Sequence, residues 1–318
     1  MKISVVIPVY NAERFILRFV RPLFFQTMGD FEALFVDDCS TDLSVAMIEK
    51  CCSADKRFVL LRQDRNRGPM LARRVGMEAA KGDFVYFADV DDMLTPDAFE
   101  NLLKKDADIV FGAYGTIGPG ERVKRVSQTL PYGSDVIGLY RAVLRGNVAS
   151  ALWGKIFRRS MLQSYDYEYY DGLKYGEDTA FFLQAAAHAQ SFATVDDCVY
   201  AYCFEPGSLT NFKTPEQIEA QLRGRAINTD FLRRYPELAS DIDINLSKFV
   251  VSRLKEGLGA FVIRDIMGES IDSLFSYGAL RDNFAFFKSL GMYMMYHYEG
   301  VQQLYLHTVR PLRKFLGL

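Results

Sequence analysis

Residues 81–92, Lys-Gly-Asp-Phe-Val-Tyr-Phe-Ala-Asp-Val-Asp-Asp, set the reading of the rest of the chain. Phe84 to Ala88 is a short continuous apolar run, the pattern of a strand buried on both faces. Asp89, Asp91 and Asp92 then put three carboxylates within four positions. Immediately upstream, Pro69 to Lys81 is spaced as a helix, with proline in its first turn and Gly82 just past its end. Further back, the β-branched run Ile3 to Val9 is followed by helical spacing from Glu13 to Gln26, and then by the apolar run Phe31 to Val36. A helix capped by Ser40 or Thr41 and reaching about Cys52 comes next, then a short strand from Arg57 to Arg62. Downstream, Ala107 to Ala113 is a fifth strand. Apolar strands alternating with helices give an α/β fold with a mostly parallel sheet flanked by helices. Such sheets bind ligands beyond the carboxyl ends of their strands, where the acidic clusters fall.

After Gly112 the pattern changes. Tyr114 to Thr129 reads as a loop or hairpin around Gly118-Pro119-Gly120, Ser134 to Leu144 and Glu177 to Ala189 as helices, and Phe192 to Phe204 as a strand. From Thr214 the chain is mostly helical. The expected division is a catalytic domain over 1–212 and a helical C-terminal region over 213–318.

The 318 residues carry 38 basic and 40 acidic side chains and are 49% hydrophobic. That composition excludes a disordered tail and a disulfide mini-protein. The net charge of −2 gives no reason to expect nucleic acid as a partner. Five cysteines without a Cys-x-x-Cys motif read as reduced thiols. The longest run without formal charge, Thr179 to Val195, contains Gln184, His188 and Gln190 and is a poor membrane span. The opening apolar run is too short for a secretion signal, so a cytoplasmic location is expected.

Three clusters have the residue types for chemistry. The Asp89–Asp92 carboxylates suit a hard cation such as Mg²⁺ or Mn²⁺, or an acidic turn before the helix that starts near Pro96. Asp37-Asp38 ends an earlier strand, where a carboxylate could accept the imide N–H of a uracil. Glu177-Asp178 opens a helix, as a cap or as a general base, and spacing alone does not choose. Arg65, Arg67, Arg73 and Arg74 form a basic stretch, and either Arg73 or Arg74 could face the sheet top and a diphosphate. His188, His297 and His307 match no metal spacing.

Six motifs in order resemble the family 2 glycosyltransferases of GT-A fold: Ile3 to Asn11, Val36 to Asp42, Asn66-Arg67-Gly68 with Ala72-Arg73, Lys81 to Asp92 with Pro96-Asp97, Trp153-Gly154-Lys155, and Gly176-Glu177-Asp178. The resemblance covers about residues 1–212. It implies an inverting, metal-dependent transfer of a sugar from a UDP-sugar to a saccharide or lipid-linked acceptor in bacterial surface-polysaccharide synthesis. It places Pro8, Tyr10, Glu13, Asp38, Arg73 and Asp89 around the donor, Asp91 on the divalent cation (Mn or Mg), Trp153 and Glu177 on the acceptor side, and Asp178 as the base. Arg74, Cys39 and Gly154 depart from the family pattern, where Asn, Gly and Asn are usual. The departures at Arg74 and Gly154 leave a non-catalytic nucleotide-sugar-binding or interaction protein open. A nucleotidyltransferase of similar architecture is the other alternative, although the glycine-rich loop it would carry after the first strand is missing. Outside the resemblance, Met292 to Tyr296 and Tyr305 to Leu318 have the aromatic, basic composition of a segment that lies on an anionic membrane surface or packs on the catalytic domain or a second copy of the chain.

Overall fold

The computed structural model describes residues 1–118, 123–169, 173, 175–204 and 214–255. The chain forms two compact bodies, Met1–Lys213 and Thr214–Leu318. The first body opens with β1 (Ile3–Val9), α1 (Glu13–Phe24), β2 (Phe31–Asp37), α2 (Ser44–Ala54), β3 (Phe58–Arg62), α3 (Pro69–Ala79) and β4 (Phe84–Phe87). It continues through β5 (Met93–Leu94), α4 (Ala98–Leu102), β6 (Ile109–Ile117), β7 (Lys124–Val126) and α5 (Val136–Arg145). It ends with β8 (Lys155–Arg158), α6 (Arg159–Gln163), α7 (Glu177–His188) and β9 (Phe192–Cys203).

One sheet runs in the order β3-β2-β1-β4-β8-β6-β9-β5, with β7 paired to β6. β3, β2, β1 and β4 are mutually parallel, as the alternating pattern predicts. β8 departs from that expectation, because it runs antiparallel to both β4 and β6. Its apolar content is only Ile156 and Phe157 between two cations, too short a run to read as a strand. β6 and β9 are parallel again, with a register break at Gly112 to Tyr114 that places Tyr114 opposite Tyr200. A break of that kind bends the bulged strand and re-aims its side chains.

β1 sits mid-sheet with Val5, Val6 and Ile7 fully buried, which is why its sequence is a continuous β-branched run. α1 packs Ile16, Phe19, Val20 and Leu23 inward, the spacing of one helical face. The α3 helix ends at Ala79, two residues short of the expected Lys81, so Gly82 is not its cap. Gly82 instead lies against β1, where a Cβ would stand 2.6 Å from the Ser4 nitrogen. The α2 helix starts at Ser44 with Leu43 as its N-cap, later than the expected Ser40 or Thr41. Tyr114 to Thr129 forms the hairpin arm β6–β7, whose turn at 119–122 lies outside the described residues.

The second body contains α8 (Pro215–Leu232) and α9 (Ala239–Lys255), with a 3₁₀ turn at Pro236–Leu238 between them. Thr214 and Gln217 form a reciprocal capping box at the start of α8. Leu222, Leu232, Leu238, Ile242 and Leu246 are buried. The helical expectation from Thr214 holds over these residues, and the segments 292–296 and 305–318 lie outside the described ones. Among the described residues no helix is long and apolar enough to cross a membrane.

Candidate active site

The carboxyl ends of β2, β1 and β4 bring the two acidic clusters to either side of β1. Two loops interlock there. Asn11 and Cys39 both hold left-handed backbone, at φ 47° and 68°. The Asn11 N–H donates to Ser40 Oγ at 3.0 Å, and Asn11 Oδ1 accepts the Thr41 N–H at 2.8 Å. The Glu13 N–H donates to Asp42 Oδ2 at 3.0 Å, while Glu13 Oε2 accepts the Leu43 N–H at 2.9 Å. Glu13, expected beside a donor nucleotide, therefore holds the start of α2, and Ser40 and Thr41 secure this interlock rather than cap that helix.

Asp38 is buried, and its carboxylate accepts three donors. Oδ1 takes Gln63 Nε2 and the Arg67 N–H, each at 2.8 Å, and Oδ2 takes the Gly68 N–H at 2.7 Å. Its first duty is to fix the loop that leads into α3. A carboxylate has about four lone-pair positions, so one remains for a further donor. Asp37 accepts the Ser40 N–H and is likewise buried. Pro8 is half-buried and Tyr10 is exposed at the mouth of the same region.

Within the Asp89–Asp92 turn, the carboxylates of Asp89 and Asp92 take separate partners. Asp89 Oδ1 meets Arg73 Nη2 at 2.5 Å. Asp92 points into the core, where Oδ2 accepts the Tyr200 hydroxyl and Oδ1 the Cys203 N–H, both at 2.7 Å. Burial, then Asp89, pushes Asp92 up to about 8, and both of its oxygens are already engaged in the core. Asp91 is half-buried, and its carbonyl accepts Arg18 of α1. Among the described residues no three His, Cys, Asp or Glu side chains form a metal cage. One or two carboxylates are the donor set of a hard cation that keeps waters and takes substrate phosphates as its remaining ligands, and Asp91 fits such an ion.

Arg73 of α3 is buried, and its Nε and Nη1 have no hydrogen-bond partner among the described residues. Burial opposes its charge, but Asp89, Asp178 and Glu177 together hold its pKa above the ordinary value. Of the two adjacent arginines, Arg73 is thus the inward one. Arg74 pairs with Glu78 at 2.8 Å and lies over the Tyr169 ring, so this departure from the family pattern sits at the surface.

Glu177 and Asp178 open α7 behind Gly176, whose φ is 78°. Asp178 Oδ1 accepts the Thr179 N–H at 2.7 Å. Burial raises the Asp178 pKa, and Arg73 pulls it back. Burial, then Asp178, pushes Glu177 up to about 7. Ser150 and Thr179 share a hydrogen bond of 2.9 Å, which ties the 149–154 loop to the start of α7. Lys155 is fully buried and donates to the carbonyls of Ala149 and Ala151 in that loop. Burial pulls its pKa down to about 7 against the field of Asp178. The same loop carries Trp153, stacked on Tyr200 and flanked by Tyr202 and Tyr114.

The structure thus joins Arg73, Asp89, Asp178 and Glu177 in one charged group. Asp91 follows Asp89 in the same turn, and Trp153 follows from the loop tied to α7. Glu13 and Asp38 appear as loop fasteners. Tyr200 and Arg18 were invisible in the sequence, because their partners lie 108 to 111 and 73 positions away.

Residues 4–165 match the family model for glycosyl transferase family 2. EpsH of Bacillus subtilis, which bears a glycosyltransferase's name, is 28% identical over 250 residues, spanning 74% of this chain and 70% of that protein. The succinoglycan biosynthesis protein ExoO of Rhizobium meliloti is 27% identical over 247 residues, 73% of this chain and 68% of that one. A crystal structure of Staphylococcus aureus TarS in complex with UDP-GlcNAc superposes with a TM-score of 0.67 at 20% identity, covering 96% of this chain and 91% of that one. That likeness establishes a shared GT-A fold.

Proposed function

The chain belongs to glycosyl transferase family 2, and from that premise we propose that it transfers a sugar, with inversion, from a UDP-sugar to a hydroxyl of a saccharide or lipid-linked acceptor. The observation that carries this reading is the Arg73–Asp89 ion pair, set in one electrostatic group with the half-buried carboxyl of Asp178. A bound UDP-sugar in a TarS structure supports the donor class, and the name of ExoO supports a setting in polysaccharide synthesis.

In this reading Pro8, Tyr10 and the remaining lone pair of Asp38 meet the nucleobase. Arg73 turns its unpaired Nε–H and Nη1–H toward the donor diphosphate while Asp89 holds its other nitrogen. Asp91 would hold a divalent cation, Mn or Mg, which would supply positive charge against the leaving diphosphate. The acceptor hydroxyl lies against Trp153 and Glu177. Its oxygen bonds to the anomeric carbon as the carbon–oxygen bond to the diphosphate breaks, and the electron pair leaves with UDP. The hydroxyl proton passes to the Asp178 carboxylate. Elevation of the Asp178 pKa makes it a stronger base than an exposed aspartate, and positioned bases contribute about 10²–10⁴-fold in rate.

Calorimetric titration of UDP with and without Mn²⁺, on wild type and Asp91→Ala, tests the donor site. The reading predicts Mn²⁺-dependent binding that Asp91→Ala loses. No binding of UDP to wild type under either condition would refute it.

A further inference from the structure

Tyr200 touches both halves of the candidate site from inside the protein. It is fully buried on β9, where the register break sets it opposite Tyr114 of β6. Its hydroxyl accepts the Asp89 N–H at 3.2 Å and donates to Asp92 Oδ2 at 2.7 Å. Asp92 passes the connection back to β9 through the Cys203 N–H at 2.7 Å. Two of the four residues in the carboxylate turn are therefore fastened to one phenol oxygen, and a third, Asp91, is held through its carbonyl by Arg18. On the other side, the Tyr200 ring stacks on Trp153, with centroids 4.9 Å apart and planes within 6°.

The turn's own backbone closes with the hydrogen bond from the Asp92 N–H to the Asp89 carbonyl at 3.2 Å, too little to hold one conformation unaided. Here the fastening comes from a strand that the chain reaches 111 positions later. A hydroxyl that both accepts and donates is needed at this point, and among large aromatic residues tyrosine alone supplies one. Phenylalanine would fill the same space and keep the indole stack.

We propose that Tyr200 is a positioning residue, whose hydroxyl presets the Asp89–Asp92 turn to receive a cation and a nucleotide diphosphate while its ring seats Trp153 beside that turn. The proposal deepens the donor and acceptor reading given above and rests on it for the identity of the ligands.

The test is Tyr200→Phe. Trp153 is the only tryptophan, so its emission reports the ring stack without interference. The readouts are amide hydrogen exchange over residues 89–92 without ligand, Trp153 emission, and the affinity for UDP with Mn²⁺. Tyr200→Phe removes two hydrogen bonds, the one from the Asp89 N–H and the one to the Asp92 carboxyl, each worth about two- to tenfold and together on the order of tenfold or more in an equilibrium. The expected result is exchange at Asp89 at least about tenfold faster and UDP–Mn²⁺ binding about tenfold weaker, with emission unchanged. Exchange and affinity both within about twofold of wild type would overturn the proposal.

Asp92→Asn is the second variant, because its side-chain oxygen still accepts the Cys203 N–H while its amide can donate to the phenol oxygen. It should weaken UDP–Mn²⁺ binding by less than about threefold. A global loss of folded structure in both variants would assign Tyr200 to fold support alone and would also overturn the proposal. If wild type binds no nucleotide, the function reading fails, and the exchange result by itself decides whether Tyr200 presets the turn.

Discussion

Asp38→Asn separates two duties that sequence and structure give to one carboxylate. As a nucleobase reader alone, Asp38 could lose its charge without cost to the free protein. The structure shows it accepting Gln63 Nε2, the Arg67 N–H and the Gly68 N–H at 2.7–2.8 Å in a buried position. Hydrogen bonds to a charged acceptor are worth about 1.5–3 kcal/mol each, and neutral ones about 0.5–1.5. Asparagine keeps one acceptor oxygen, so two of the three bonds survive at neutral strength and one backbone N–H faces an amide N–H. Two bonds weakened by about 1 kcal/mol each and one lost at about 1.5–2 sum to roughly 3–4 kcal/mol. The loop is partly open to solvent, which can re-satisfy the orphaned N–H, so about 2–4 kcal/mol is expected. For a body of this size that lowers the melting temperature by roughly 5–10 °C. Thermal and urea unfolding of the nucleotide-free protein measures it, with UDP calorimetry on the same samples. A melting temperature unchanged within about 1 °C, together with lost UDP affinity, would refute the clamp and leave only the reader.

Four further outcomes follow from the geometry. Donor-saturated kcat should rise with pH through the neutral range, because burial raises Asp178 and holds Glu177 at about 7, and the pair must lose a proton before it can accept one. Arg73→Met removes the cation that lowers Asp178, so the pH–kcat limb should move to higher pH; a limb that stays in place or moves down would contradict the assignment. Cys39→Gly should stabilise the protein against urea by up to about 1 kcal/mol, since left-handed backbone costs an L-residue about 1–2 kcal/mol and glycine returns about 0.5–1 of that in chain entropy. Gly82→Ala should cost on the order of 3 kcal/mol and depress soluble yield, because the added carbon meets Ser4 and Ile3 backbone at 2.6–2.7 Å and backbone in mid-sheet cannot step aside.

The first four parallel strands were legible because each is a continuous apolar run between turn residues, and β1 matches the expected Ile3–Val9 at both ends. β8 and β5 were not, because four and two residues carry no period of their own and exist through their partners. Helix ends drifted where local signals compete: Ser40 and Thr41 are good caps in isolation, but Asn11 engages both. At the site, adjacency in sequence misled once. Asp89, Asp91 and Asp92 look like one cluster, yet the chain turns tightly there, with the Asp92 N–H donating to the Asp89 carbonyl at 3.2 Å, and sends Asp92 into the core and Asp89 to Arg73. The Arg73-or-Arg74 ambiguity needed only the helix face, which the sheet packing of α3 settles. Lys155 stood in a quoted motif, but nothing in its neighbours announced a buried ammonium holding the loop of Trp153.

The central claim is that Asp178 takes the acceptor proton in a transfer from a UDP-sugar. UDP release from a panel of UDP-sugars, with saccharide and lipid-linked acceptors present, should be compared for wild type and Asp178→Asn alongside donor affinity. The account predicts acceptor-dependent release that falls about 10²–10⁴-fold in the variant, with donor affinity retained within about threefold. Wild-type turnover in Asp178→Asn would contradict it.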